Sequence, residues 1–343
     1  MPQPLRNTLE QVLDHCSLSE AEAGELLVAL TDPELPAAMA GALLAALRMK
    51  GVTADEVRGF AGAMRRLARR PQIAAGTPVI DIVGTGGDGS GSLNLSTGAA
   101  LLAAACGLRV VKHGNRAVSS RCGSADLLEA LGMSMPLDEE AAGRCLDATG
   151  FTFLFAPHYH PALKVLAPVR GALGVRTVFN MLGPLANPAE PPFHIIGAFS
   201  LEAAELMAKT LSGMAIERAF VVHGEPGWDE PTQVGPFTLF DVRPGSVARE
   251  VREPAHFGIK TCHASDLAGG NIAHNAAALR AVFEGRDRGP HRDALLIGAA
   301  LALELVGREP DPRAAAAKAA VAIDSGRARE LLDKLSRFGA PAS

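Results

Sequence analysis

Four glycines fall within six residues, at 84, 86, 87 and 89, directly after the apolar run 79–83 and shortly before a helix-like stretch that opens near Ser96. A strand that enters a glycine loop and leaves it as a helix is a place for an anion. Glycine reaches positive φ without a Cβ clash, so the backbone can approach a ligand and turn its N–H groups toward phosphate oxygens. The following helix adds the dipole of its N-terminus, and Ser96 is expected to cap it. A second unit of the same kind comes at once. The apolar run 108–111 ends in Lys112, His113, Gly114, Asn115 and Arg116, and Ser124 with Asp126 opens a helix that stops at Gly132. Loops leaving neighbouring strands of a parallel sheet converge at the carboxyl ends of those strands. A ligand with two phosphate groups fits this pair best.

Gly84, Gly86 and Gly89 also satisfy GxGxxG, the dinucleotide fingerprint. That motif opens its helix inside the glycine run and places an acid on the ribose about 20 residues later. Here the helix begins well after Gly89, and no Asp or Glu stands between Asp88 and Asp126. The nicotinamide reading is therefore set aside.

The remaining composition narrows the class. With 343 residues, 48% of them hydrophobic and 20% charged, the chain can bury a large core. Aromatics make up 4%, with one Trp and one Tyr, which argues against a base-stacking platform. A net charge of −4 gives no general attraction to nucleic acid or to an anionic membrane. Five cysteines without a CxxC pair point to reduced thiols in the cytoplasm rather than to zinc or disulfides. No stretch has the length of a membrane span or the form of a secretory signal.

Residues 1–70 read as helices alone, with capping boxes expected at Ser17/Glu20, Thr31/Glu34 and Thr53/Glu56. Arg65, Arg66, Arg69 and Arg70 are expected to form a solvated, dipole-complementing helix end. The α/β part begins near 77, and part of 160–190 is expected to join the helical domain in space. The segment 156–188 is dense in Pro, His, Arg and Asn, the mark of a folded functional loop region. His158 and His160 would share one face of an extended segment, and packing roles outweigh half a metal site there. Arg170 could grip a carboxylate with two parallel hydrogen bonds, or form an ordinary ion pair. From 190 onward strands and helices alternate, which implies a mostly parallel wound sheet. Asp229 and Glu230 follow one of its strands. Next to a polyphosphate such a pair can hold Mg2+; elsewhere it is commonly just solvated.

Taken together, GTGGDG followed by NLST, KHGNRAVSSRCGSADLLEALG, FLFAPHYHPALKVLAPVRGALGVRTVFNMLGPLANP, VVHGEPGWDE and the distal FGIKTC, DLAGGNIAHNA and GPHRDALL resemble the anthranilate phosphoribosyltransferase family. The resemblance runs over nearly the whole chain. It implies a small N-terminal all-helical domain, 1–70, joined to a large α/β domain, 77–343, with a mostly parallel, nucleoside-phosphorylase-like sheet, and usually a homodimer. It places the phosphoribosyl pyrophosphate donor on Gly84, Gly87, Asp88, Ser92, Asn94, Leu95, Ser96 and Thr97, then on Lys112, His113, Gly114, Asn115, Arg116, Ala117, Val118, Ser119, Ser120 and Ser124. Its magnesium ligands fall on Ser96, Asp229 and Glu230, and its anthranilate contacts on Gly84, Asn115 and Arg170. Trp228, Pro231, Thr232, Leu93 and Gly298 depart from the family's usual pattern.

The implied reaction is Mg2+-dependent displacement of pyrophosphate at the ribose anomeric carbon by the amine of anthranilate. No side chain is expected to act as acid or base. Catalysis is expected to be electrostatic and positional, with the helical domain closing to exclude water. A paralogue acting on another aromatic acid, and a non-catalytic nucleic-acid-binding homologue, are the competing readings.

Overall fold

A computed structural model of the chain describes residues 3–74, 76–117 and 121–338. The first part is four helices: α1 (Gln3–Leu13), α2 (Glu20–Leu30), α3 (Ala37–Lys50) and α4 (Ala54–Leu67). The Thr53/Glu56 capping box forms as expected. The other two do not. Helix α2 is boxed by Ser19 and Glu22, and Thr31 ends that helix instead of starting the next. Helix α3 begins after Pro36 with no side-chain cap, where the fixed φ of proline already suits a helix start. Arg65 also departs from expectation. It is buried, and its Nε donates to the Leu185 carbonyl at 2.9 Å, so tertiary packing takes it out of the solvated cluster.

The α/β part alternates β1 (Val79–Gly84), α5 (Leu95–Ala105), β2 (Arg109–Gly114), α6 (Ser124–Ala130), α7 (Glu139–Thr149) and β3 (Phe151–Phe155). A helical excursion follows, with α8 (Ala156–Tyr159), α9 (Ala167–Leu173) and α10 (Phe179–Leu185). Then come β4 (Phe193–Gly197), α11 (Leu201–Ser212), β5 (Arg218–Gly224) and the hairpin β6 (Phe237–Arg243) and β7 (Ser246–Arg252). Helices α12 (Ile272–Phe283), α13 (Pro290–Leu305), α14 (Pro312–Asp324) and α15 (Arg327–Arg337) close the described chain.

Among the described residues seven strands form one sheet in the order β3-β2-β1-β4-β5-β6-β7. The first five in that row are parallel, and the β6–β7 hairpin is appended antiparallel. The winding reverses between β1 and β4, the position at which open α/β sheets bind ligands. One core, built on Leu101, Val111, Phe153 and Leu301, fills one face of the sheet. The other face, with Ile196, Ala219 and Val221, shares a second core with Leu26, Leu43 and Phe60 of the four helices and with Leu166, Val178 and Leu182 of the excursion. The excursion is thus the packing bridge between the helical bundle and the sheet.

His158 and His160 do not share an extended face. The segment winds into α8, which turns His158 to Glu139 at 3.3 Å and sends His160 inward against His113, ring centroids 5.0 Å apart.

Candidate functional site at the sheet's switch point

The glycine loop leaves β1 at Gly84, and Gly86, Gly87 and Gly89 all have positive φ, near +70°. Asp88 braces the loop from within: its Oδ1 accepts from the N–H and the hydroxyl of Ser90 at 3.0 and 2.9 Å. Its Oδ2 accepts from the N–H of Asp229 at 3.3 Å, which binds the glycine loop to the loop after β5. Asp229 answers by accepting from the Gly86 N–H at 2.5 Å and from Thr85 Oγ1 at 3.4 Å. This approach depends on missing side chains. A Cβ on Gly197 would collide with the Asp229 carbonyl oxygen, and one on Gly84 would press on the Asp229 carboxylate.

Helix α5 begins one residue before Ser96, so Asn94, not Ser96, is its N-cap residue. Asn94 makes no cap hydrogen bond. Its Nδ2 donates to the Cys122 carbonyl at 2.9 Å, and its Oδ1 accepts from Asn275 at 2.9 Å. Leu95 is buried, Thr97 donates to Ser124 Oγ at 3.0 Å, and Ser92 bridges Ala268. Ser96 donates its N–H to Glu230 Oε1 at 3.1 Å, and Lys112 Nζ reaches Ser96 Oγ at 3.5 Å. Ser96, Asp229 and Glu230 therefore meet at the ends of β1 and β5 even though more than 130 residues of chain separate the serine from the two acids.

Electrostatically this is an acidic pocket short of positive charge. Burial and then the neighbouring Asp88 charge push Asp229 up, and burial and then Asp229 push Glu230 up. Lys112 is buried, its Nζ donating to the Ile82 carbonyl at 2.5 Å, and burial holds it below the usual lysine range against the pull of Asp81, Glu230 and Asp229. The donor set is a hydroxyl and two carboxylates, all oxygen, with unbalanced charge beside them, which fits Mg2+. Among the described residues no three His, Cys, Asp or Glu side chains gather as metal ligands.

On the second loop, Gly114 lies under the Phe153 ring, which would meet a Cβ at 3.0 Å. His113 is buried and its Nδ1 pairs with the Gly183 carbonyl at 3.0 Å; desolvation drops its pKa to about 3, so it is neutral. Asn115 receives the Arg116 N–H at 2.7 Å. Arg116 commits its guanidinium to both Glu129 oxygens at 2.6 Å and to Asp126 at 3.1 Å. Ala117 donates its N–H to Asp126 at 2.9 Å. Val118, Ser119 and Ser120 lie outside the described residues. Arg170, on α9, is exposed and stacks its guanidinium over the Phe179 ring at 5.0 Å. It is a cation held by an aromatic face, which suits a carboxylate.

Several site residues escaped the sequence reading. Asp81 is a fully buried acid inside β1, its pKa raised to about 6 by burial. It accepts from Asn187 Nδ2 at 2.8 Å, and the same amide donates to the Val111 carbonyl at 2.9 Å. One amide thus pins the end of the excursion to β1 and β2 beneath the loops. An acid inside an apolar strand run was a signal for Asp81. Nothing in the sequence pointed to the His113–His160 contact or to the grip of Arg176 on the glycine loop.

Comparison with known proteins agrees with this architecture. The family model for the glycosyl transferase helical bundle domain matches residues 6–68, and that for the glycosyl transferase a/b domain matches 76–329. An anthranilate phosphoribosyltransferase of Desulforudis audaxviator is 44% identical over 335 residues, 97% of this chain and 96% of that protein. The crystal structure of anthranilate phosphoribosyltransferase from Thermus thermophilus superposes with a TM-score of 0.90 at 42% identity, covering 96% of this chain and 98% of that one. The Saccharomyces cerevisiae enzyme, solved in complex with PRPP and Mg, gives a TM-score of 0.90 at 27% identity and covers 98% of both chains. On a helical bundle, an α/β domain and an identity that hold over nearly its whole length, the chain belongs to the anthranilate phosphoribosyltransferase family.

Proposed function

We propose that this chain transfers the phosphoribosyl group of 5-phosphoribosyl 1-pyrophosphate to the amine of anthranilate, giving N-(5-phosphoribosyl)anthranilate and pyrophosphate, with Mg2+. One observation carries the reading: the glycine loop, the N-terminus of α5 and the Asp229–Glu230 pair converge at the sheet's switch point.

The donor's phosphates belong on the backbone N–H groups of 84–97, where the positive-φ glycines and the α5 dipole favour negative charge, and on the second loop, after β2. Ser96, Asp229 and Glu230 are the residues that would hold Mg2+. The cation supplies charge neutralisation to the departing pyrophosphate. Arg170, with Asn115 and Gly84, takes the anthranilate carboxylate and aims the amine at the anomeric carbon. The bond from that carbon to the pyrophosphate oxygen breaks, the carbon–nitrogen bond forms, and the amine proton leaves to the phosphate or to solvent. No side chain is needed as base; buried His113, its pKa lowered to about 3, is a weak proton acceptor. Positioning and the fixed dipoles of the loops account for the rate.

The unusual residues near the site are absorbed by the core. Trp228 is 7% exposed in the sheet's main core, Thr232 is buried, and Gly298 lets α13 approach Ala99 of α5. The division at 1–70 and 77–343, with part of 160–190 attached to the bundle, is the frame in which the bundle closes over the donor. A homodimer is the assembly the family resemblance implies, which sedimentation velocity would test; a cytoplasmic setting accords with five cysteines that form no disulfide among the described residues.

The direct test follows the fluorescence of anthranilate after PRPP and Mg2+ are added to the purified chain, with a metal-free control. Mg2+-dependent loss of signal is expected. Donor binding by calorimetry without loss of anthranilate would overturn the acceptor assignment.

A further inference from the structure

We infer that Arg176 is a positioning residue that ties the helical bundle to the shape of the donor glycine loop. The inference rests on the donor assignment above. Arg176 lies between α9 and α10, on the excursion that bridges the bundle and the sheet. Its guanidinium donates to the carbonyl oxygen of Gly87 and stacks over the Phe199 ring at 4.1 Å. Its own carbonyl accepts from Arg48 of α3. One residue thus touches the bundle, the glycine loop and the first turn after β4.

The Phe199 end of this chain of contacts is itself fixed. The Phe199 N–H donates to Thr85 Oγ1 at 3.1 Å, and the Thr85 N–H donates to the Gly197 carbonyl at 2.9 Å. The aromatic platform is therefore part of the junction between β1 and β4. Gly87 has φ +73°, a conformation that suits glycine, and while Asp229 holds the Gly86 N–H and Asp88 holds Ser90, the Gly87 carbonyl is held by Arg176. Because a trans peptide directs its C=O and the next N–H to opposite sides, capping the Gly87 carbonyl also fixes the direction of the Asp88 N–H. Arg176 selects one face of the loop for its carbonyl and leaves the other to a phosphate. A lysine could supply charge but neither the planar stack nor the same fork. Since Arg48 holds the backbone of Arg176, movement of the bundle reaches the loop through this side chain.

The experiment is calorimetry of PRPP with Mg2+, without acceptor, on the full chain and on Arg176→Gln, Arg176→Lys, Arg48→Gln and the Arg48→Gln/Arg176→Gln double variant. Donor binding by the parent tests the underlying assignment, and its absence would overturn both readings. Given that binding, loss of a charge-assisted contact predicts a donor Kd raised about tenfold or more by Arg176→Gln. A smaller rise is expected for Arg176→Lys and for Arg48→Gln. The double variant should stay within about twofold of Arg176→Gln alone, because the two act along one path. Melting midpoints within about 3 °C of the parent would exclude general unfolding as the cause. An unchanged Kd in Arg176→Gln would sink the inference. So would a loss in Arg176→Gln with none in Arg48→Gln, which would make Arg176 a direct donor ligand, and so would effects that multiply. If Arg176→Gln does not fold, Arg176→Lys and Arg48→Gln decide the matter by the same criteria.

Discussion

At the scale of single residues, the site is a concentration of acids held in place before any ligand arrives. Asp229 and Glu230 are pushed up by burial and by neighbouring acids, so a divalent cation relieves a repulsion already present in the fold. Replacing both by Ala should cut Mg2+-dependent turnover by about a hundredfold or more, read in the anthranilate assay, because electrostatic stabilisation of the leaving group is the main catalytic term. Unchanged kinetics would remove them from the metal site. His194, buried in β4, behaves differently. Desolvation drops its pKa to about 3, below the 6.5 of an exposed histidine. A base with a depressed folded pKa contributes stability that is full above the unfolded pKa and is lost as pH falls through the window between the two values. Between pH 7 and pH 5 the parent should therefore lose about 2 kcal/mol that His194→Leu does not, visible as converging urea-unfolding free energies. A pH-independent difference between the two proteins would contradict a neutral, buried His194.

At the scale of elements, the decisive contact is between loops that belong to different strands. Gly84 ends β1 and Gly197 ends β4, and the loop carrying Asp229 packs where their side chains would be. Gly197→Ala should displace that loop and weaken apparent Mg2+ affinity in donor binding about tenfold, since the obstacle is backbone and cannot rotate away. Retained affinity would mean that the loop tolerates a shift. Most of the elements themselves were legible. The Thr53/Glu56 box opens α4, and β1, the glycine loop and α5 follow one another as expected. Errors fell where local chemistry offered equivalent choices. Ser17 and Ser19 both offer a hydroxyl with a glutamate three residues on, and only packing selects Ser19. His158 and His160 read as an extended pair because residues two apart share one face of a strand, yet Pro157 is at home in the first turn of a short helix, and α8 uses it there.

At the scale of the whole molecule, the bundle and the sheet share one apolar core, with the excursion between them. A donor that binds only the folded, assembled form should raise the melting midpoint with the logarithm of its free concentration above Kd; at a hundred times Kd the gain is about 2.7 kcal/mol. PRPP with Mg2+ should produce this shift, and PRPP with EDTA should produce little of it; equal shifts would show that the acids take no part in donor binding. What the sequence determined alone was chemistry written in contiguous residues. The glycine loop and the strands and helices around it are local, because φ preferences, capping and periodicity act over a few residues. What the tertiary structure decided was everything that depends on separation in the chain. Arg65 reads as a solvated charge in its own helix and is buried against Leu185. Asp81 reads as an interruption in an apolar run and is the anchor for Asn187. Arg176 carries no motif and gains its place only because α3, β4 and the glycine loop meet there. Propensity cannot encode such contacts, since their energy exists only after distant segments have been brought together and desolvated.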